Sequence, residues 1–108
     1  MSLWAEYLSE REGKEVIEDD DSLISYFIEG EVCCIGEIYI KKEKRHGPKG
    51  REIFKKVCDI ARAAKCKEVY GTVSPQDRNA VRNITIQLAI GFTLKEQVNG
   101  LYIFSMPL

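Results

Sequence analysis

Val32-Cys33-Cys34-Ile35-Gly36-Glu37-Ile38-Tyr39-Ile40, followed by Lys41 to Gly50 and the periodic stretch Arg51 to Cys66, is the passage that decides the fold. Its first nine residues are rich in β-branched and aromatic side chains and predict a strand. Lys41 to Gly50 changes abruptly to charge, proline and glycine and predicts a turn. From Arg51 onward, Ile53, Val57, Ile60, Ala61 and Ala64 recur at spacings of three and four, while Arg51, Glu52, Lys55, Lys56, Asp59 and Arg62 take the other face. That spacing predicts an amphipathic helix, so the chain here runs strand, tight turn, helix.

The first amides of a helix have no partner within it and point out of its start, at the positive end of its dipole, where an anion fits. The turn Arg45-His46-Gly47-Pro48-Lys49-Gly50-Arg51 adds glycines, which allow close approach to the backbone, and side-chain cations beside the amides. The passage therefore suggests a phosphate or pyrophosphate site, against the plainer reading of a solvated loop whose lysines only keep the surface charged. It lacks the Gly-Lys-Ser/Thr ending of a nucleoside-triphosphate loop, and Gly47 and Gly50 do not have dinucleotide-fingerprint spacing.

A chain of 108 residues with 44% hydrophobic and 31% charged residues and a net charge of −1 has the composition of an ordinary globular protein, expected as one domain over residues 1–108. No apolar run approaches the roughly 20 residues of a membrane-spanning helix, and the start lacks the basic-then-apolar order of a secretory signal. The cytoplasm is the expected compartment. Cys33 and Cys34 are adjacent in a strand, Cys58 lies on the helix and Cys66 just beyond it; there is no CxxC pair, and His46 is the only histidine. Reduced, buried thiols are expected rather than a zinc site or a disulfide framework, and no metal is assigned.

Upstream, Met1 to Gly13 reads as weakly structured or briefly helical, with Trp4, Tyr7 and Leu8 on one small face. A short strand around Val16 and Ile17, the hydrophilic turn Asp19-Asp20-Asp21-Ser22, the strand Leu23 to Ile28 and the connection Glu29-Gly30-Glu31 then lead into Val32, making three antiparallel strands. The acidic run lacks the interspersed glycine and distal glutamate of a calcium loop and reads as a solvated turn. Downstream, Lys67 to Val73 reads as a strand parallel to the central one, reached by a right-handed crossover. Ser74-Pro75-Gln76-Asp77 has the order of a helix start, with Val81, Ile84, Thr85 and Leu88 expected on the buried face and Gly91 as a left-handed stop. Phe92 to Val98 and Leu101 to Met106 flank Asn99-Gly100, a strong two-residue hairpin signal. The expected fold is α+β: a mixed, mostly antiparallel sheet with a central parallel β-α-β crossover.

This order, with a strand leading into an Arg-x-x-x-x-Gly turn and a second helix closed by Gly91-Phe92 before a final hairpin, resembles the GNAT superfamily of acyl-CoA N-acyltransferases over Val32 to Met106. The family's phosphate turn follows Gln/Arg-x-x-Gly-x-Gly/Ala; Arg45-His46-Gly47-Pro48-Lys49-Gly50 matches it at the first and last positions, with Pro48 in place of the middle glycine. The resemblance implies an N-acetyltransferase that uses acetyl-CoA. The cofactor pyrophosphate would lie on the amides from Gly47 to Arg51, with Arg45, His46 and Lys49 beside it. The pantetheine arm would pair with the backbone of Ile38, Tyr39 and Ile40, where the sheet splays. A neutral primary amine would attack the acetyl carbonyl, polarised by a backbone amide of this strand, with no covalent enzyme intermediate. In the family a carboxylate usually takes the amine's proton and a tyrosine on the second helix often protonates the departing thiolate. By position Glu37 is the candidate base, Gln87 stands where that tyrosine falls, Asn79 nearly matches the family's asparagine, and Tyr39 and Tyr102 are substitute acids.

Three departures matter. Pro48 donates no amide hydrogen bond, Gln87 cannot act as an acid at neutral pH, and Asp19 to Ser22 is too short for the helix-loop-helix that walls the family's acceptor site. Alternation alone does not decide whether Glu37 faces the cleft, because a bulge would reverse it. An open front suits an amine on another protein, a lysine or an N-terminus, or completion of the site by a second subunit in a homodimer; small polyamines and aminoglycosides are further acceptors. The alternative is a GNAT-fold protein without catalysis that binds acyl-CoA or serves as a structural interaction module. Nucleic-acid binding through Lys41, Lys42, Lys44, Arg45, Lys49 and Arg51 is not expected of a slightly acidic chain without interleaved aromatics.

Overall fold

The computed structural model describes residues 2–108. Its elements are α1 (Leu3–Glu12), β1 (Glu15–Glu18), β2 (Ser22–Glu29), β3 (Val32–Ile40), a single 3-10 turn (Lys42–Lys44), α2 (Lys49–Ala63), β4 (Glu68–Val73), α3 (Ala80–Ile90), β5 (Thr93–Val98) and β6 (Leu101–Pro107). The six strands form one sheet in the order β1-β2-β3-β4-β6-β5, antiparallel throughout except for β3 beside β4. The α+β architecture and the element order are those expected from the sequence.

Helix α2 buries Gly50, Ile53, Phe54, Val57, Cys58 and Ala61. The stripe differs slightly from the expected one: Ile60 is 37% exposed and Ala64 lies at the surface, while Phe54 and Cys58 complete the face. Ile24 and Tyr26 of β2, Cys33 and Ile35 of β3, Val69 and Val73 of β4, Phe104 of β6 and Phe92 share this core, with the Phe54 and Phe92 rings edge to face at 6.0 Å. Leu23, which alternates with Ile24, packs instead with Ala5 and Leu8 of α1, so α1 covers the opposite face of the sheet. Trp4 and Tyr7 do not join that contact as expected; they stack on one another at 5.5 Å and remain about half exposed.

Two readings of the second helix need correction. It starts at Ala80 rather than at Ser74, because Asp77 and Ser74 bond neighbouring amides in place of the helix: Asp77 N–H donates to Ser74 O at 3.0 Å, and Asn79 N–H to Asp77 Oδ1 at 2.8 Å. Its buried face carries Ala80 and Gln87, with Ile84, Ile86 and Ile90 packed against the core, whereas Val81 is 80% exposed, Leu88 is 53% exposed and Thr85 is at the surface. Apolar residues encircle this helix, so their period does not select a face. Gly91 ends it in the left-handed region, and the Asn99-Gly100 hairpin turn has positive φ at both residues, as a type I′ turn requires.

Because Phe92 is 1% exposed and bridges α2 to the hairpin, Phe92→Ala is expected to destabilise the fold by about 3–5 kcal/mol, read as a shift of the urea unfolding midpoint at unchanged slope.

Candidate functional site

Parallel pairing of β3 with β4 runs only from Val32↔Glu68 to Ile35↔Gly71. Beyond Ile35 the two strands part, and a cleft of about 870 Å³ opens between the second half of β3, the turn before α2, and the start of α3. This is the splay expected beside the central strand.

What shapes the cleft is one extra residue. The β2–β3 register passes from Tyr26↔Ile35 to Ile24↔Ile38, so Gly36 and Glu37 together oppose Ser25: a β-bulge. Ser25 is fully buried, and its Oγ accepts the Glu37 N–H at 2.7 Å. Only glycine fits at 36, since a Cβ there would lie 2.7 Å from that hydroxyl oxygen. The bulge shifts the alternation, so that Cys33 and Ile35 are followed on the helix-covered face by Ile38 and Ile40 rather than by Glu37 and Tyr39. Glu37 and Lys41 amides both turn toward β2, bonding Ser25 Oγ and Asp21 O. Alternation therefore turns the backbone of Ile38 and Ile40 to the open edge, where no strand pairs with it, and that of Tyr39 toward Leu23.

Glu37 is exposed and stands where the cleft meets a second depression of about 680 Å³ on the α1 side, whose lining includes Trp4, Glu18, Asp19, Asp20, Asp21 and Tyr39. Tyr39 is 56% exposed, and the Arg45 guanidinium lies 5.6 Å from its ring centre. Arg45 Nε donates to Ile40 O at 2.8 Å, which fastens the turn to the end of β3.

The turn lines the cleft with Lys44, Arg45, His46, Gly47 and Gly50. His46 adopts a left-handed backbone, φ 69°, that reverses the chain. Pro48 caps α2 by its backbone alone, with no side-chain hydrogen bond, so the amides of Lys49, Gly50 and Arg51 open the helix toward the mouth. Proline's missing N–H removes one donor of that set. Gly50 lets α2 pack close: a Cβ would lie 3.2 Å from both Ile40 Cδ1 and Ile86 Cδ1. Lys49, expected as a supporting charge, does not line the cleft with its side chain, and neither does Arg51, expected to contribute its amide. Lys49 is instead bonded to Asp19 in the β1–β2 turn. Lys44, Arg78, Arg82 and Asn83 do line it; sequence reading named Lys44 only within a basic cluster and missed the other three, of which only Arg82, four residues before Ile86, carried a periodic hint.

Gln87 is 4% exposed and packs over Gly71, at the apex where the strands part; a Cβ at 71 would fall 2.4 Å from Gln87 Oε1. That oxygen is buried without a hydrogen-bond partner among the described residues. Asn79 lines the cleft at the start of α3, more than two helical turns from Gln87, whereas Tyr102 packs against the core instead. All four cysteines are free, and burial pushes the Cys33 thiol up to about 12, which keeps it protonated and inert. Among the described residues no three of His, Cys, Asp and Glu gather to hold a metal, and no helix is long and apolar enough to cross a membrane.

No protein-family model matches the sequence, and no curated protein is similar to it in sequence. Solved structures share its fold. The PaiA N-acetyltransferase of Thermoplasma acidophilum, in complex with coenzyme A, aligns with a TM-score of 0.74 at 16% identity over 82% of this chain and 54% of that one. A Bacillus subtilis acetyltransferase in complex with CoA aligns at 0.73 and 13% identity, over 95% and 80% of the two chains. The anti-CRISPR protein AcrVA5 aligns at 0.71 and 20% identity, over 86% and 97%. The chain thus spans about half the length of the first of these, at 54%. Its fold is that of the GNAT acetyltransferases.

Two variants test this geometry. Ser25→Ala leaves the Glu37 N–H without its partner and is expected to cost about 1–3 kcal/mol of stability in urea unfolding. The hydrogen bond from Lys49, with those from the Asp21 and Ser22 amides, holds the Asp19 carboxyl below the usual carboxylate range. A lowered folded value means stability present above the unfolded pKa of about 3.9 and lost as pH falls through the folded value. Asp19→Asn is therefore expected to lower the melting temperature at pH 7, with the gap to wild type closing below about pH 4.

Proposed function

We propose that the protein is a GNAT-type N-acetyltransferase that takes acetyl-CoA into the cleft and passes its acetyl group to a primary amine by direct attack in a ternary complex. The observation that carries this reading is the bulged, unpaired half of β3 facing the uncapped start of α2 across one cleft. The residues fit such a cofactor. Amides at the start of α2, with Lys44, Arg45 and His46 beside them, suit a pyrophosphate; the free backbone edge at Ile38 and Ile40 suits an amide-bearing arm. The orphaned Gln87 carboxamide marks the polar inner end of that path.

When bound, acetyl-CoA supplies a thioester whose acyl carbon accepts the amine as its C–S bond breaks. The Ile38 N–H, turned to the open edge, is placed to donate to a carbonyl oxygen that gains negative charge. Glu37, at the junction of the two depressions, takes the proton that the amine loses, directly or through a water. Gln87 holds no proton to give; its carboxamide N–H groups stabilise the departing thiolate by hydrogen bonding, and solvent supplies the proton. The acceptor reaches Glu37 from the α1 side, where carboxylates and the Trp4 and Tyr39 rings suit a cationic amine, on a protein or free. Four free thiols accord with a reducing, cytoplasmic setting.

A second reading, acyl-CoA binding without catalysis, is favoured by Pro48 and by Gln87 in the acid's place. Titration calorimetry with CoA and acetyl-CoA, followed by thiol release in the presence of amines, separates the two. Gly47→Asp, where only Lys44 O lies within 4 Å of the new Cβ, is expected to fold and to weaken CoA about tenfold or more. Glu37→Gln is expected to keep CoA affinity and to slow acetyl transfer by about 10²–10⁴. Binding with no thiol release for any amine would leave the second reading; no binding at millimolar cofactor would remove both.

A further inference from the structure

Assigning the turn to a pyrophosphate leaves a second set of cations in the same cleft without a task. Arg78 and Arg82 line its far wall. Among the described residues neither is in an ion pair or a side-chain hydrogen bond, although Arg82 is half-buried. Packing fixes the place of Arg82: Ile86, four residues on in α3, is pressed against Gly50 in the first turn of α2, so Arg82 lies one helical turn, about 5.4 Å, beyond that contact toward the start of α3. Arg78 lies in the turn just before α3 and lines the same cleft.

The cleft walls carry four cations, Lys44, Arg45, Arg78 and Arg82, against two carboxylates, Glu37 and Asp77, in a chain whose net charge is −1. Glu37 stands at the far end beside the acidic depression, and Asp77 Oδ1 accepts the Asn79 N–H. The mouth is therefore cationic on both sides, with one locus at the turn and another at the start of α3. A ligand with a single phosphate centre would use only one of them.

Resting on the acetyl-CoA reading above, we infer that Arg78 and Arg82 form a second phosphate subsite that holds the ribose 3′-phosphate of the cofactor, so that the protein discriminates CoA from 3′-dephospho-CoA. The pyrophosphate goes to the α2 amides with Lys44 and Arg45. The 3′-phosphate, a dianion with three acceptor oxygens, goes to the guanidinium groups of Arg78 and Arg82, whose fork geometry suits it.

The test is titration calorimetry at one fixed salt concentration with CoA and with 3′-dephospho-CoA, on wild type and on Arg78→Ala/Arg82→Ala. Wild type is expected to bind CoA about tenfold or more tightly than dephospho-CoA. The double variant is expected to bind both equally, at the wild-type affinity for dephospho-CoA, which also shows that it is folded. Equal affinity of wild type for the two ligands would overturn the inference while leaving the acetyl-CoA reading intact. So would a double variant that weakens both ligands alike, since the arginines would then serve the pyrophosphate. Failure of wild type to bind either ligand would remove the acetyl-CoA reading and the inference together.

Discussion

The hydrogen bond from the Glu37 amide to the buried Ser25 hydroxyl holds the feature on which the rest of the site depends. A strand that carries one residue more than its partner must bulge, and the bulge is stable only if the displaced amide finds an acceptor away from water. Ser25, with no exposed surface, supplies it, and Gly36 gives the room. Past this point the side-chain alternation of β3 is shifted by one. Ile38 and Ile40 turn to the helices and close the core under α2, Glu37 and Tyr39 turn to the α1 side, and one backbone edge is left without a neighbouring strand.

The second constraint is the approach of α2 to the end of β3. Gly50 lets the helix start lie against Ile40 and Ile86, and Arg45 ties the turn to the Ile40 carbonyl. Lys49 draws the same turn toward Asp19 and so joins the β1–β2 connection to α2. These contacts aim an uncapped helix start along the open strand edge. The cations that line the cleft without an ion pair or a side-chain hydrogen bond among the described residues are Lys44, Arg78 and Arg82, whereas Lys49 is engaged elsewhere.

The sequence carried the element order, the parallel crossover, the I′ hairpin and the turn before α2, because each rests on local chemistry: β-branched runs, glycine and proline positions, and the Asn99-Gly100 pair. It did not carry the face of α3, where apolar residues lie on all sides and a buried glutamine interrupts the stripe. Nor did it place the bulge, since one surplus residue leaves no mark in composition and is visible only as a register shift against β2. The direction of Glu37 followed from that bulge. The separation of Lys49 from the cleft followed from a partner thirty residues away, the kind of contact that a turn read by itself cannot contain.

Gln87 and Gly71 make one unit, and the unit bears on how protons would move in the proposed reaction. The carboxamide fills the space a Cβ at 71 would need, at the apex between β3 and β4, and it has no proton to give at any ordinary pH. A thiol with a pKa of about 8.5 leaves nearly as readily as the thiolate as it would protonated, so hydrogen bonding from an amide N–H covers most of what an acid would contribute. An alkyl amine with a pKa of about 10.4 arrives almost wholly protonated and cannot attack until that proton is gone. The demand for proton transfer therefore falls on the acceptor side. There the structure places a carboxylate at the junction of two depressions, and among the named candidates Glu37 alone occupies that junction with a group able to act as a base.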